Sequence, residues 1–180
     1  PSRREIGIST AFNLLGPMAN PAPIASMLVG VAVPWMMRPM IEALGSRGVK
    51  SAWVVHGHGG VDEITLAGPC KVLSLSSGEI TEFTVDAADI GLDHAPLDAI
   101  RGGDAVENAA IARSILSGSP GPMRDTVVFN AAAALHVAGV ASDLRQGRTL
   151  AEQSIDSGAA AKVLDRLVDA SNRAAKRLEH

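Results

Sequence analysis

Residues 25–56 read strand, helix, strand, and that order constrains the fold more than any other feature of the chain. Residues 25–32, Ala-Ser-Met-Leu-Val-Gly-Val-Ala, form a short apolar run of strand length. Pro34 suits the first turn of a helix, and Met37, Met40, Ile41 and Leu44 recur at helical spacing before Gly45 stops it. Residues 51–56, with Ala-Trp-Val-Val at their centre, make the next strand. A strand–helix–strand unit predicts two parallel strands joined by a right-handed crossover and covered by helices.

The rest of the chain fits around that unit. Residues 71–76 and 79–84 flank Ser77-Gly78 and predict a hairpin. Residues 86–92 predict a short helix or turn. Helices are expected at 105–116, 124–138, 144–155 and 158–175. Asp104 is placed to cap the first, and the Ala-rich, nearly all-apolar 124–138 segment should be buried on most sides. Ahead of the unit, residues 3–7 read as the tail of a helix. Residues 10–18 are apolar and broken by Gly16-Pro17, and residues 20–23 form a rigid loop. There is no internal repeat or long linker. The expectation is one α/β domain over 1–177, with a mixed, largely parallel central sheet and packed helices. Residues 178–180 are expected to be a tag remnant.

Composition excludes several functions. A net charge of −3 gives no basis for nucleic-acid binding, and 3% aromatic residues without Tyr offer no base-stacking platform. A lone cysteine, Cys70, precludes an internal disulfide and a Cys-rich zinc site. It suits a reduced, cytoplasmic setting and reads as a small core or edge residue, not a nucleophile. No apolar run approaches the roughly 20 residues of a membrane span. The first residues lack a signal-peptide pattern and an initiating Met, so a fragment of a longer protein is expected.

The chemistry-bearing candidates centre on residues 54–65, Val-Val-His-Gly-His-Gly-Gly-Val-Asp-Glu-Ile-Thr. A strand runs into a glycine-loosened loop that presents Asp62 and Glu63, at the kind of place where α/β sheets bind ligands. Mg²⁺ needs only one or two carboxylates when substrate phosphates and waters complete its shell. The residues alone leave a solvated acidic turn, or Asp62 as a cap, slightly ahead of a metal site. Gly102-Gly103-Asp104 reads as an N-capped helix start more readily than as an anion site, because Asp104 would repel a phosphate there. Arg3 and Arg4 read as solvated, and Gly16-Pro17 as a rigid wall. His56 and His58 read as loop hydrogen-bonders, and His136 as a satisfied core histidine. No nucleophile–base pair stands out, so no catalytic side chain is assigned.

These pieces together resemble one family. Residues 12–22, Phe-Asn-Leu-Leu-Gly-Pro-Met-Ala-Asn-Pro-Ala, resemble the signature of the anthranilate phosphoribosyltransferases. So do Val54-Val55-His56-Gly57 with Gly60-Val61-Asp62-Glu63, Gly102-Gly103-Asp104-Ala105 with Glu107-Asn108-Ala109, Asn130-Ala131-Ala132-Ala133, and Ile155-Asp156-Ser157-Gly158 with Ala160. The resemblance runs in order over residues 3–167. It implies the C-terminal part of a nucleoside phosphorylase/phosphoribosyltransferase-like α/β domain, in a Mg²⁺-dependent, dimeric enzyme of tryptophan biosynthesis. Such an enzyme transfers the phosphoribosyl group of phosphoribosyl pyrophosphate to anthranilate and releases pyrophosphate. The resemblance implies that Arg3 holds anthranilate, that Gly16 and Pro17 line its tunnel, and that Asp62 and Glu63 bind Mg²⁺.

Two positions depart from the family's pattern. Ser9 stands where many members carry Arg, and His58-Gly59 stand where an acidic residue is common. The family's Gly-Thr-Gly-Gly-Asp loop, its Lys-His-Gly-Asn segment and its helical dimerisation domain lie outside these 180 residues, so the chain alone is expected to be inactive. The alternatives are a pyrimidine nucleoside phosphorylase, which shares the fold but not the 12–21 run, and a stand-alone binding domain without catalysis.

Overall fold

The computed structural model describes residues 24–178. Strand β1 (Ser26–Gly30) leads through a 3₁₀ turn, Pro34–Met36, into helix α1 (Met37–Ser46) and strand β2 (Ser51–His56). Strands β3 (Cys70–Ser76) and β4 (Glu79–Val85) follow, then 3₁₀ turns at Ala87–Ile90 and Leu97–Ile100. Helices α2 (Ala105–Leu116), α3 (Pro122–Val137), α4 (Leu144–Asp156) and α5 (Ala159–Leu178) complete the chain. Pro34 opens a 3₁₀ turn, so the α-helix proper starts at Met37.

The sheet order is β1-β2-β3-β4. β1 pairs parallel to β2, with Ser26 opposite Ser51 and Gly30 opposite Val55. β2–β3 and β3–β4 are antiparallel. The sheet is therefore mixed, as expected, but its parallel share is smaller: one pairing of three among the described residues. The cause is the return after β2. No crossover helix follows it, so the loop over 57–69 brings the chain back antiparallel, and parallel pairing needs a crossover. Ser77 and Gly78 have φ of 51° and 85°. Positive φ at both central residues is what a type I′ hairpin turn requires.

Successive β2 residues face opposite sides of the sheet, and both sides are covered. Ala52 and Val54 pack with Met40, Ile41 and Leu44 of α1 and with Leu73 and Leu75. Trp53 and Val55 pack with Val72 and with Phe129, Ala133 and Val137 of α3. The two-residue alternation of β2 thus feeds two cores, one shared with the helically spaced residues of α1 and one with α3. Phe129 is fully buried, which contributes about 2 kcal/mol for a side chain of its size. Trp53 stands edge-on to Phe83 at 5.2 Å and to His136 at 5.3 Å. None of the described helices is long and apolar enough to cross a membrane.

Candidate functional site

The carboxyl ends of the two parallel strands lie side by side, and the 57–66 loop rises from β2 directly over the end of β1. Gly57 and Val61 form an isolated bridge, with the Gly57 N–H donating to the Val61 carbonyl at 2.9 Å. Gly60 N–H donates to the Gly57 carbonyl at 3.1 Å, closing the turn. His56 Nδ1 lies 2.9 Å from the Val31 carbonyl, a loop hydrogen bond that ties the two strand ends together. Ile64, Thr65 and Leu66 are buried and anchor the far side. There the Thr65 N–H donates to Cys70 Sγ at 3.3 Å, which makes the free, buried cysteine a structural acceptor.

Three consecutive residues are held by their main chain. A Cβ at position 30 would sit 1.6 Å from the Asp62 carbonyl oxygen, and one at position 57 would sit 2.1 Å from that of Glu63. Only glycine permits such approaches. Ile64 N–H donates to Asn130 Oδ1 at 3.0 Å, and Asn130 Nδ2 donates back to the Ile64 carbonyl at 2.7 Å. The Asp62 and Glu63 side chains remain exposed. Neither carboxylate has a hydrogen-bond or ion-pair partner among the described residues. Partial burial, and then the neighbouring Asp62 charge, hold the Glu63 carboxyl above its ordinary value.

Glu63 also forms one wall of a cavity of about 150 Å³, opposite Gly102 and Asn108. The structure thus brings the acidic loop and the glycine motif to the same place. In that motif the carboxylates are already used. Asp104 Oδ1 accepts from the Val106 and Glu107 N–H groups at 2.8 and 2.9 Å, and Glu107 Oε2 accepts from the Asp104 N–H at 3.0 Å. This is a capping box. Asn108 closes the turn behind it through Gly103, with its amide at 2.9 Å from both the N–H and the carbonyl.

Arg3, Gly16 and Pro17 lie outside the described residues. His136 is half-buried at the margin of the core, against Trp53, with Nδ1 at 3.2 Å from the Ala141 carbonyl. His58 is exposed, and no group of three or more His, Cys, Asp or Glu side chains gathers as a metal site among the described residues. Asn130 is the residue whose role the sequence reading missed. Its signal was there: an amide in an otherwise apolar, alanine-rich helix needs buried partners.

The sheet is helix-covered on both faces, and two spare carboxylates stand near the ends of its parallel strands, the region where α/β sheets commonly bind ligands. The chain belongs to the glycosyl transferase family, a/b domain, whose model matches residues 1–161. It is 48% identical over 171 residues to the anthranilate phosphoribosyltransferase of Rhodopseudomonas palustris strain HaA2, covering 95% of this chain and 51% of that protein. It is 52% identical over 166 residues to the enzyme of the same name from Moorella thermoacetica, covering 92% and 49%. The crystal structure of anthranilate phosphoribosyltransferase (TrpD) from Thermus thermophilus superposes with a TM-score of 0.83 at 40% identity, covering 93% of this chain and 49% of that one. The Saccharomyces cerevisiae enzyme in complex with PRPP and Mg gives 0.80 at 26% identity, covering 93% and 47%. The chain spans about half the length of the relatives it matches.

Proposed function

We propose that this chain carries the metal-holding half of an anthranilate phosphoribosyltransferase. The reaction moves the phosphoribosyl group of phosphoribosyl pyrophosphate onto the amine of anthranilate and releases pyrophosphate, within tryptophan biosynthesis in the cytoplasm. One observation carries the reading: Asp62 and Glu63 are unpartnered among the described residues, yet stand on a fixed main chain at the ends of the parallel strands. The names of the relatives supply the substrates.

Mg²⁺ fits this pair. It takes hard oxygen ligands and is commonly held by one or two carboxylates, with phosphates and waters filling the remaining positions. Burial first, and then the Asp62 charge, raise the Glu63 carboxyl, and a cation there would offset both. When bound, Mg²⁺ neutralises charge developing on the departing pyrophosphate. Asp62 and Glu63 would hold the ion through their carboxylate oxygens. Arg3 pairs with the anthranilate carboxylate, while Gly16 and Pro17 line its path. The anthranilate amine is itself the nucleophile, so no side chain need serve as one.

The test is Mn²⁺ binding followed by electron paramagnetic resonance. Mn²⁺ shares the oxygen-ligand preference of Mg²⁺. Saturable binding to the 180-residue chain is expected, and its loss in the Asp62→Asn/Glu63→Gln double variant. Absence of binding, or unchanged binding in the variant, would sink the site. Turnover with both substrates and Mg²⁺ is expected to be absent from this chain alone, and robust transfer would overturn its reading as half of a larger site.

A further inference from the structure

We infer that Asn130 is the positioning residue of the acidic pair, setting the geometry of Asp62 and Glu63 from helix α3 across 66 residues of sequence. The inference rests on the reading of that pair as a Mg²⁺ site. Asn130 Oδ1 accepts from the Ile64 N–H, and Nδ2 donates to the carbonyls of Ile64 and Thr126, at 3.0, 2.7 and 2.9 Å. The pattern fixes the orientation of the amide. Turned over, it would set Nδ2 against the Ile64 N–H and Oδ1 against two carbonyls.

Each bond has a distinct effect. The Thr126 carbonyl lies one helical turn back on α3, so that bond holds the amide against its own helix. The two Ile64 bonds copy a strand pairing and fix both main-chain polar groups of the residue after Glu63. The main chain is also restrained before this point, by the close approaches at Gly30 and Gly57. Those are steric walls that limit movement in one direction. Asn130 adds a directional contact: Ile64 and Leu66 already pack in the core with Phe129 and Ala133 of α3, and the amide fixes the register of the main chain against that helix. Without it, the two like-charged side chains are free to separate. A divalent ion needs both together, so its affinity falls while the fold persists. Outer hydrogen bonds that orient metal ligands typically matter by about 10- to 100-fold in affinity.

The experiment measures the Mn²⁺ dissociation constant and the thermal midpoint of the wild-type chain, Asn130→Ala and Phe129→Leu. Phe129 is adjacent on the same helix and wholly buried. Its variant loosens the core that Ile64 shares but keeps the Asn130 amide and its three hydrogen bonds, and so controls for general destabilisation. Asn130→Ala is expected to weaken Mn²⁺ binding about tenfold, and Phe129→Leu to leave it within about twofold of wild type at a similar or lower midpoint. A folded Asn130→Ala chain with wild-type affinity overturns the inference, as does equal weakening by Phe129→Leu. If wild type binds no Mn²⁺, the metal site itself fails and the inference fails with it. Amide hydrogen exchange of the unmodified chain gives an answer even if Asn130→Ala does not fold. The Ile64 amide should be as protected as the amides at the centre of α3, and fast exchange there removes the clamp.

Discussion

Two stretches of this chain look alike in sequence and differ in what their carboxylates do. Gly59-Gly60-Val61-Asp62-Glu63 and Gly102-Gly103-Asp104 with Glu107 each put a glycine pair before two acids. In the second, the acids serve the backbone, since Asp104 and Glu107 satisfy three N–H groups at the start of α2. In the first, the backbone is satisfied by others, and the acids are left over. The 3₁₀ turn at Ala87–Ile90 belongs with the satisfied kind, because Asp86 accepts from the Ala88 N–H at 3.0 Å. The titration behaviour follows. The Ala88 N–H bond, and then the His94 side chain, hold Asp86 below its ordinary value, whereas burial and Asp62 hold Glu63 above its own. A carboxylate whose environment already favours its charge is structural. One whose environment penalises its charge, as at Glu63, would be stabilised by a cation placed beside it.

The largest expected effect tests the main chain beneath the two motifs. Gly30→Ala puts a methyl 1.6 Å from a backbone carbonyl, that of Asp62, which cannot move without shifting the loop. Gly103→Ala meets an equally close atom, at 1.8 Å, but that atom is the carboxylate tip of Glu107 and can rotate away. Gly30→Ala should cost about 3 kcal/mol, at the upper end for overpacking. Gly103→Ala should cost about 1 kcal/mol or less, mostly the lost half of a capping box. Urea unfolding of the two variants checks this, and equal losses would mean that the loop over β1 is not rigid.

A smaller effect separates the acids themselves. Asp104→Ala removes an N-cap and should cost about 1 kcal/mol while leaving Mn²⁺ binding unchanged. The Asp62→Asn/Glu63→Gln variant should do the reverse, abolishing Mn²⁺ binding without lowering the thermal midpoint, because it removes a like-charge repulsion. A midpoint that falls in the second variant would show that Asp62 or Glu63 is structural after all.

This contrast also marks how far the sequence could be read. The β1–α1–β2 order, the Ser77-Gly78 hairpin and the Asp104 cap were legible because each is decided within a few residues: by an apolar run, a turn dipeptide, or an acid before a helix. The antiparallel return of β3 was not, since nothing in residues 57–69 announces which way the chain will pair. The glycines of the acidic loop suggested looseness, and the structure gives Gly57 the opposite task. It admits the Glu63 carbonyl at a distance no other residue allows, as Gly30 does for Asp62. Asn130 was visible as part of a family motif and as a polar residue in an apolar helix, but its role was not, because its partner lies 66 positions away.

The smallest effect concerns the half-buried Asp86 and tests whether the direction of a titration shift does report on use. A carboxyl held below its unfolded value of 3.8 contributes stability that is fully present above that value. It is lost as pH falls through the lower, folded value, where Asp86 takes up a proton and weakens its bonds to the Ala88 N–H and to His94, whose Nε2 lies 2.6 Å away. Asn at position 86 has no charge to lose. On acidification from about pH 6 to about pH 3, the thermal midpoint of the wild type should therefore fall more steeply than that of Asp86→Asn. The two curves should converge at the acid end, and the gap at neutral pH should be small because the pair is solvent-screened. Parallel curves would mean that Asp86 gains nothing from its cap, and the separation of satisfied from spare carboxylates would then rest on geometry alone.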